Sequence, residues 1–175
     1  MRKNIIYNQC EQHNLDSARH WYERGKQETD PFDKFIDMWI SYNAIYGDTH
    51  GKHEIDRVAN CVGNIYSRNA QKCNILLSTE DAQYFGKRKI VDCKNSEYTT
   101  EDSRAKIEYY NPSNYKSCAE AFENLIKCIY KVRCNLFHGD KTPSGPADFN
   151  DDTEIVTHAG AVMQSILDIY FSEGH

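Results

Sequence analysis

Apolar residues recur along this chain at the spacing of helices. From Thr29 to Gly47 the sequence reads TDPFDKFIDMWISYNAIYG, with apolar side chains at i, i+3, i+4 and i+7 positions. Asp30 is a typical N-cap, and Pro31 suits the first helical position because an N–H there would have no helical partner. The pattern predicts a helix that ends at Gly47 and buries one face. That face consists of Phe32, Phe35, Ile36, Trp39, Asn43 and Tyr46.

Weaker helical patterns occupy most of the remaining chain. Asp16 or Ser17 is a suitable N-cap for a first helix, and Ser78 with Asp81 resembles a capping box. The further predicted helices span 16–27, 53–69, 78–85, 115–138 and 152–172. The polar stretch 92–112 is predicted to be a connection or a short insertion. Because no strand-like alternation is long enough to build a sheet, we expect an all-α fold, an antiparallel bundle of four to six helices in one domain.

Composition favours a globular protein of the cytoplasm. No apolar run approaches the roughly 20 residues needed to cross a bilayer, so no membrane partner is expected. The 7 cysteines are scattered and contain no C-x-x-C pair, which favours reduced thiols over disulfides or a zinc site. His50 and His53, with Asp48 and Glu54, could bind a metal, but a solvent-facing helix start is the favoured interpretation. We therefore predict no metal and no other cofactor.

The formal net charge of −5 argues against broad, sequence-independent adhesion to nucleic acid. Positive residues nevertheless cluster locally, whereas acidic residues gather around 148–154. The two positive clusters are Lys87, Arg88, Lys89 and Lys94, and Lys127, Lys131, Arg133 and Lys141. The separation of charge leaves room for a small nucleic-acid footprint.

The second positive cluster contains a candidate chemical motif, KVRCNLFHGDK. Arg133 and His138 are five residues apart at the end of a predicted helix, with Asn135 between them in sequence. On a regular helix this spacing separates the two side chains by roughly 140°, so they would flank a groove. An arginine, an amide and an imidazole without an intervening carboxylate suit a phosphate group. The alternative is structural, with the arginine in a surface ion pair and the histidine capping the helix.

This motif resembles the R-x(4–6)-H motif of the HEPN superfamily (higher eukaryotes and prokaryotes nucleotide-binding domains). The stretch PFDKFIDMWISYNAIYG also resembles the first core helix of a compact HEPN-like subgroup. The resemblance implies a helical bundle that dimerises and joins two R…H motifs in one cleft. It further implies a metal-independent endoribonuclease of toxin–antitoxin or antiphage defence systems, which leaves 2′,3′-cyclic phosphate and 5′-hydroxyl ends.

Carried over to this chain, the resemblance makes Arg133 and His138 the catalytic candidates and Asn135 an auxiliary one. We expect the substrate to be single-stranded or loop RNA, because in-line attack needs a flexible phosphodiester. The expected partners are RNA, a second copy of the chain, and an antitoxin or sensor protein. The tyrosine found two residues after the histidine in one toxin subgroup is replaced here by Asp140. The candidate RNA-binding residues are Lys127, Lys131, Lys141 and Asn43.

Two alternatives remain open from the sequence. A non-catalytic HEPN-like module could use the same arginine and histidine to hold RNA, a nucleotide or a protein partner. A purely structural bundle would use the pair for helix capping alone. Asn43 is likewise open, since it could be a buried amide that binds a neighbouring helix or a polar group that orients the active site; the buried amide is favoured.

Overall fold

The computed structural model describes residues 2–47, 49–92, 97–137 and 146–172, with side chains described outside 2–13 and 146–151. These residues form an all-helical fold, which confirms the predicted class, with more helices than the four to six expected. The helices are α1 (Arg2–Gln27), α2 (Pro31–Tyr46), α3 (Glu54–Leu77), α4 (Glu80–Lys87), α5 (Glu101–Glu108), α6 (Tyr115–Phe137) and α7 (Pro146–Phe171). Within the described ranges the extended pairing is limited to one isolated bridge between Val91 and Thr99.

Helix α2 lies at the centre of the fold and was predicted correctly at both ends. The Asp30 carboxylate accepts hydrogen bonds from the backbone N–H groups of Phe32 and Asp33, at 2.9 and 3.1 Å. The helix packs against α1 on one side and α7 on the other, while α3 packs against α6. One continuous apolar core joins these helices. Its largest fully buried side chains include Tyr42, Tyr46, Tyr66, Phe35, Phe85 and Phe122.

The interface between α1 and α2 contains polar groups that the hydrophobic pattern did not reveal. Ser41 is buried, and its hydroxyl donates to the carbonyl of Ala18 at 2.6 Å. The Nε of Arg24 lies 3.0 Å from Oδ2 of Asp37, which is 1% exposed. A Cβ on Gly25 would lie only 3.0 Å from the Cβ of Asp37, so glycine permits the close approach of the two helices here.

The predicted start of the first helix and the predicted end of the third were wrong. Helix α1 begins at Arg2, well before the predicted caps Asp16 and Ser17, which lie inside the helix. Helix α3 continues to Leu77, but Asn69, its predicted end, interrupts it with a non-helical backbone (φ −131°, ψ 34°). Asn69 therefore marks a kink in the helix and not its end.

The start of α4 and the course of 92–112 also differ from the prediction. Thr79 caps α4 by accepting from the N–H of Ala82, in place of the capping box of Ser78 and Asp81. The stretch predicted as a connection contains α5, which buries Ile107 against α6. A short amphipathic helix with one buried apolar residue gives too little periodicity to be recognised in sequence. Helix α7 begins at Pro146, earlier than the predicted 152.

The Asp30 cap generates a first prediction. We expect Asp30→Ala to lower the free energy of unfolding by about 0.5–2 kcal/mol, because two N–H groups at the start of α2 lose their acceptor. Asp30→Asn keeps an acceptor and should retain most of the stability. The control Asp33→Ala removes an acidic residue from the same helical turn without removing the cap. Urea unfolding followed by circular dichroism measures all three, and equal losses for Asp30→Ala and Asp33→Ala would contradict the capping role.

Candidate functional site

Arg133 lies one turn before the last described residue of α6, and its side chain is 25% exposed. Three aromatic rings surround its guanidinium. The guanidinium carbon is 5.0 Å from the ring centroid of Phe137 and 6.0 Å from those of Trp39 and Tyr130. Cation–π attraction at these distances stabilises the position of the guanidinium, so the rings help to hold the side chain in place. The Nε of Arg133 is buried and has no hydrogen-bond partner among the residues that the structure describes.

Glu54, the first residue of α3, places a carboxylate beside Arg133. Nη1 of Arg133 lies 3.6 Å from Oε2 of Glu54. This distance exceeds a normal hydrogen bond, so the pair is an electrostatic contact. The hydroxyl of Tyr46 donates to Oε1 of Glu54 at 2.8 Å, and that of Tyr130 donates to Oε2 at 3.1 Å. The carboxylate is therefore held from two helices while it faces the guanidinium.

The contacts of Glu54 with Tyr46, Tyr130 and Arg133 determine which of these groups carry a proton. Burial tends to raise the pKa of Glu54, but hydrogen bonds from Tyr46 and Tyr130 and the charge of Arg133 lower it below its ordinary value. The pKa values of Tyr46 and Tyr130 are raised, chiefly by burial. At neutral pH the carboxylate is therefore charged and both phenols keep the protons that they donate to it.

Asn135 faces away from Arg133, because two residues correspond to about 200° of helix rotation. It is 7% exposed, and its Nδ2 donates to the carbonyl of Val91 at 2.8 Å. One turn earlier, Nζ of Lys131 lies 2.5 Å from Oδ2 of Asp92. Both side chains hold the 90–92 segment against α6. The structure thus separates Asn135 and Lys131 from Arg133, although all three were expected at one site.

A pocket of about 210 Å³ lies on the Asn135 side of α6. Its walls come from α6, α7 and the segment after α4. The lining residues are Arg88, Lys89, Ile90, Val91, Asp92, Val132, Asn135, Leu136, Asp152, Ile155 and Val156. The pocket is separate from the Arg133 and Glu54 contact, because the two lie on opposite faces of the same helix.

The remaining candidate residues are Lys127, Asn43, His138 and Lys141. Nζ of Lys127 lies 2.6 Å from Oε1 of Glu123, one turn away on α6. Asn43 is exposed, so its interpretation as a buried amide was wrong; it lies on the solvent side of α2. His138 and Lys141 lie outside the described residues, as do Lys94 of the other positive cluster and Asp48.

Four basic residues of the two clusters have acidic neighbours. In the first cluster, Nη1 of Arg88 lies 3.5 Å from Oε2 of Glu154. In the second, Lys127, Lys131 and Arg133 each have a carboxylate within 4 Å. The positive and the acidic residues lie apart along the sequence, but the fold brings members of the two groups together. The local positive potential at the candidate site is consequently smaller than the sequence alone suggested.

Four residues of the Arg133 site were not identified as its members from the sequence. They are Glu54, Trp39, Tyr130 and Phe137. Tyr130 and Phe137 could have been found, because i−3 and i+4 neighbours share a helix face with Arg133. Trp39 and Glu54 come from other helices, and no spacing in the sequence relates them to α6.

Among the residues that the structure describes, no group of three or more His, Cys, Asp or Glu side chains could hold a metal ion. No helix within the described ranges has the length and apolarity needed to cross a bilayer. At the start of α3, the backbone N–H of His53 donates to Asp56 at 3.0 Å.

Comparison with known proteins adds no relative. The chain matches no protein-family model, no curated protein and no solved structure.

The lowered pKa of Glu54 generates a pH prediction. A carboxyl whose pKa is lower in the folded than in the unfolded state stabilises the fold above its unfolded pKa, ordinarily near 4.3. That stability is lost as the pH falls through the folded pKa. We therefore expect Glu54→Gln to be less stable than the wild type at pH 7, with the difference shrinking below about pH 4. Urea unfolding across this pH range measures it.

Glu123→Gln serves as the matched control. It removes a carboxylate that pairs with Lys127 on the surface of α6. Exposed pairs of this kind contribute about 0–1 kcal/mol, so the control should change the free energy of unfolding little at any pH. If Glu54→Gln lowers the free energy of unfolding equally at every pH, packing accounts for its effect and the charge of the carboxylate does not.

Proposed function

We propose that this protein is a metal-independent endoribonuclease of the HEPN type that cleaves single-stranded or loop RNA. The observation that carries the proposal is the setting of Arg133. Its side chain is 25% exposed, and aromatic rings and a carboxylate surround the guanidinium near the end of α6. His138, the other residue of the R-x(4)-H motif, directly follows the last described residue of that helix. The motif's resemblance to HEPN ribonucleases supplies the reaction.

RNA carries its own nucleophile, which limits what the protein must provide. In the proposed reaction the 2′-hydroxyl oxygen attacks the adjacent phosphorus, and the bond to the 5′-oxygen breaks. One imidazole removes the 2′ proton, and a second protonates the departing 5′-oxygen. The products are a 2′,3′-cyclic phosphate and a 5′-hydroxyl. Arg133 would contact the non-bridging oxygens, where a permanent charge stabilises the developing negative charge.

The ion pair with Glu54 is compatible with this role. Because the pair is partly exposed and longer than a hydrogen bond, it holds the guanidinium weakly. In the proposed complex, a phosphate would bind the edge of the fork that does not face Glu54. The carboxylate would then orient Arg133 in the absence of RNA and reduce the cost of ordering it when RNA binds.

A homodimer gives the reaction its second imidazole. One His138 cannot easily act as base and acid on opposite sides of the same phosphate. Two copies related by a two-fold axis would place one imidazole on each side. We therefore propose a composite site in which both chains contribute Arg133 and His138. By the same resemblance, the biological setting would be a toxin or antiphage effector of the cytoplasm, held in check by an antitoxin or sensor protein.

One observation favours a second candidate, a non-catalytic module that binds RNA, a nucleotide or a protein partner. Arg133, Lys131 and Lys127 each face a carboxylate. Their charge is partly neutralised, which suits modest binding better than strong stabilisation of a transition state. Detection of cleavage products separates the two candidates.

The endoribonuclease proposal predicts specific losses of activity. With mixed-sequence single-stranded RNA, we expect cleavage that persists in EDTA and yields cyclic phosphate ends. His138→Ala should lower the rate about 10²- to 10⁴-fold, since a proton-transfer group is lost. Arg133→Ala should lower it at least as far, and Arg133→Lys should not restore it fully, because lysine cannot form a bidentate fork.

Lys72→Ala, on α3, is a suitable control because its ammonium contacts Ser172 and no residue of the Arg133 site. It should retain the wild-type rate. Cleavage that stops in EDTA, or that continues unchanged in Arg133→Ala, would contradict the proposed chemistry. Tight RNA binding without products would favour the non-catalytic module.

The composite site predicts a concentration dependence. The rate per chain should fall as the protein is diluted below the dissociation constant of its dimer, because a single chain lacks the second imidazole. Sedimentation velocity at the same concentrations would locate that constant. A rate per chain that stays constant while the dimer dissociates would show that one chain is sufficient.

A further inference from the structure

We propose that Phe137 is a stacking platform for an unpaired base whose phosphate is bound by Arg133. The inference deepens the proposed function and rests on it in taking RNA as the ligand. Phe137 is the last described residue of α6 and is 50% exposed. Its ring centroid lies 5.0 Å from the guanidinium carbon of Arg133. A half-exposed ring and the guanidinium proposed to bind phosphate therefore adjoin one another.

Exposure of an aromatic residue is not informative by itself, because isolated apolar side chains are common on protein surfaces. The neighbouring charge makes this ring different. Other exposed aromatic side chains in the described part of the chain are Tyr98, Tyr109 and Tyr115. Of these, Tyr115 contacts Tyr66 in an edge-to-face geometry, at 5.2 Å. Phe137 is the exposed ring that contacts Arg133.

The chemistry of one nucleotide fits this pair. A nucleotide joins a phosphate to a flat base through one ribose, so the two groups can occupy adjoining sites. The N–H groups of Arg133 suit the phosphate oxygens, and the phenyl ring suits the face of the base. Stacking on an aromatic side chain tolerates any base, because every base has a π-face. The pair would therefore select unpaired nucleotides without selecting a sequence.

The contacts on the inner side of Arg133 support this arrangement. Trp39 is buried at 2% exposure, and Tyr130 is fixed by its hydrogen bond to Glu54. These rings and the carboxylate hold the guanidinium from within the fold. Phe137, which is half-exposed, also contacts it. A ligand bound to the guanidinium would consequently lie close to the phenyl ring.

Binding of an RNA that cannot be cleaved tests the proposal. The probe is a single-stranded oligonucleotide of mixed sequence with 2′-O-methyl groups, which lacks the nucleophile. Isothermal titration calorimetry compares the wild type with Phe137→Ala and Phe137→Tyr. Loss of the ring should weaken binding roughly 5- to 150-fold, whereas tyrosine keeps a ring and should stay within about threefold of the wild type.

Tyr109→Ala is the matched control, since Tyr109 is 74% exposed and follows α5. It should bind the probe as the wild type does. Circular dichroism should show the same helical content for all variants, because Phe137 and Tyr109 are both exposed. A duplex of the same 2′-O-methyl sequence should bind more weakly than the single strand, because its bases are already stacked on one another.

The outcomes separate this inference from the endoribonuclease proposal. If Phe137→Ala binds the probe as tightly as the wild type, or if the wild type does not bind it, the platform is overturned. Phe137-dependent binding without cleavage of ordinary RNA would overturn the enzyme and support the platform. Cleavage by the wild type with unchanged probe affinity in Phe137→Ala would overturn the platform and support the enzyme.

Discussion

The carboxylate of Glu54 organises the candidate site, because it accepts two hydrogen bonds and faces the guanidinium of Arg133. A partly buried carboxylate is costly unless it is paired and hydrogen-bonded. Tyr46 and Tyr130 supply the hydrogen bonds, and Arg133 supplies the opposite charge. Because these residues come from α2, α3 and α6, the carboxylate links three helices at one point. The position of the guanidinium therefore depends on the packing of the whole bundle.

The same arrangement shows how an acidic protein can present basic residues without a broad basic surface. Lys131 and Lys127 face acidic partners, as Arg133 does. Such pairing lowers the long-range attraction of nucleic acid, which depends on net positive charge. Recognition of a phosphate would then depend on short-range geometry. Under the proposed function, this limits contact to a few nucleotides of RNA.

The sequence predicted the fold best where the signals were local. The signals for α2 lie next to one another in the sequence, since Asp30 and Pro31 mark its start and the apolar stripe follows them. The helix has both predicted ends. The start of α1 could not be predicted, because Asp16 resembles a cap although the helix passes through it. Asn69 shows a related difficulty, since a polar residue that ends a pattern can mark a kink.

The candidate site was less predictable because its members come from separate helices. Arg133 was identified from its spacing to His138, yet no local pattern brings Glu54 to α6. Asn135 was expected beside Arg133 because they are close in sequence, but helical geometry turns it towards Val91. Neighbours in sequence are therefore poor guides to a site on a helix, unless they are three or four residues apart.

The position of Trp39 gives the site a natural spectroscopic reporter. The chain has 2 tryptophans, and the other, Trp21, lies on α1 beside Arg24. Replacing Trp21 by phenylalanine would leave one indole, buried within 6.0 Å of the Arg133 guanidinium. Indole emission responds to nearby charge, so occupancy of the guanidinium becomes visible without an added label. The fold thereby provides an optical readout of its own candidate site.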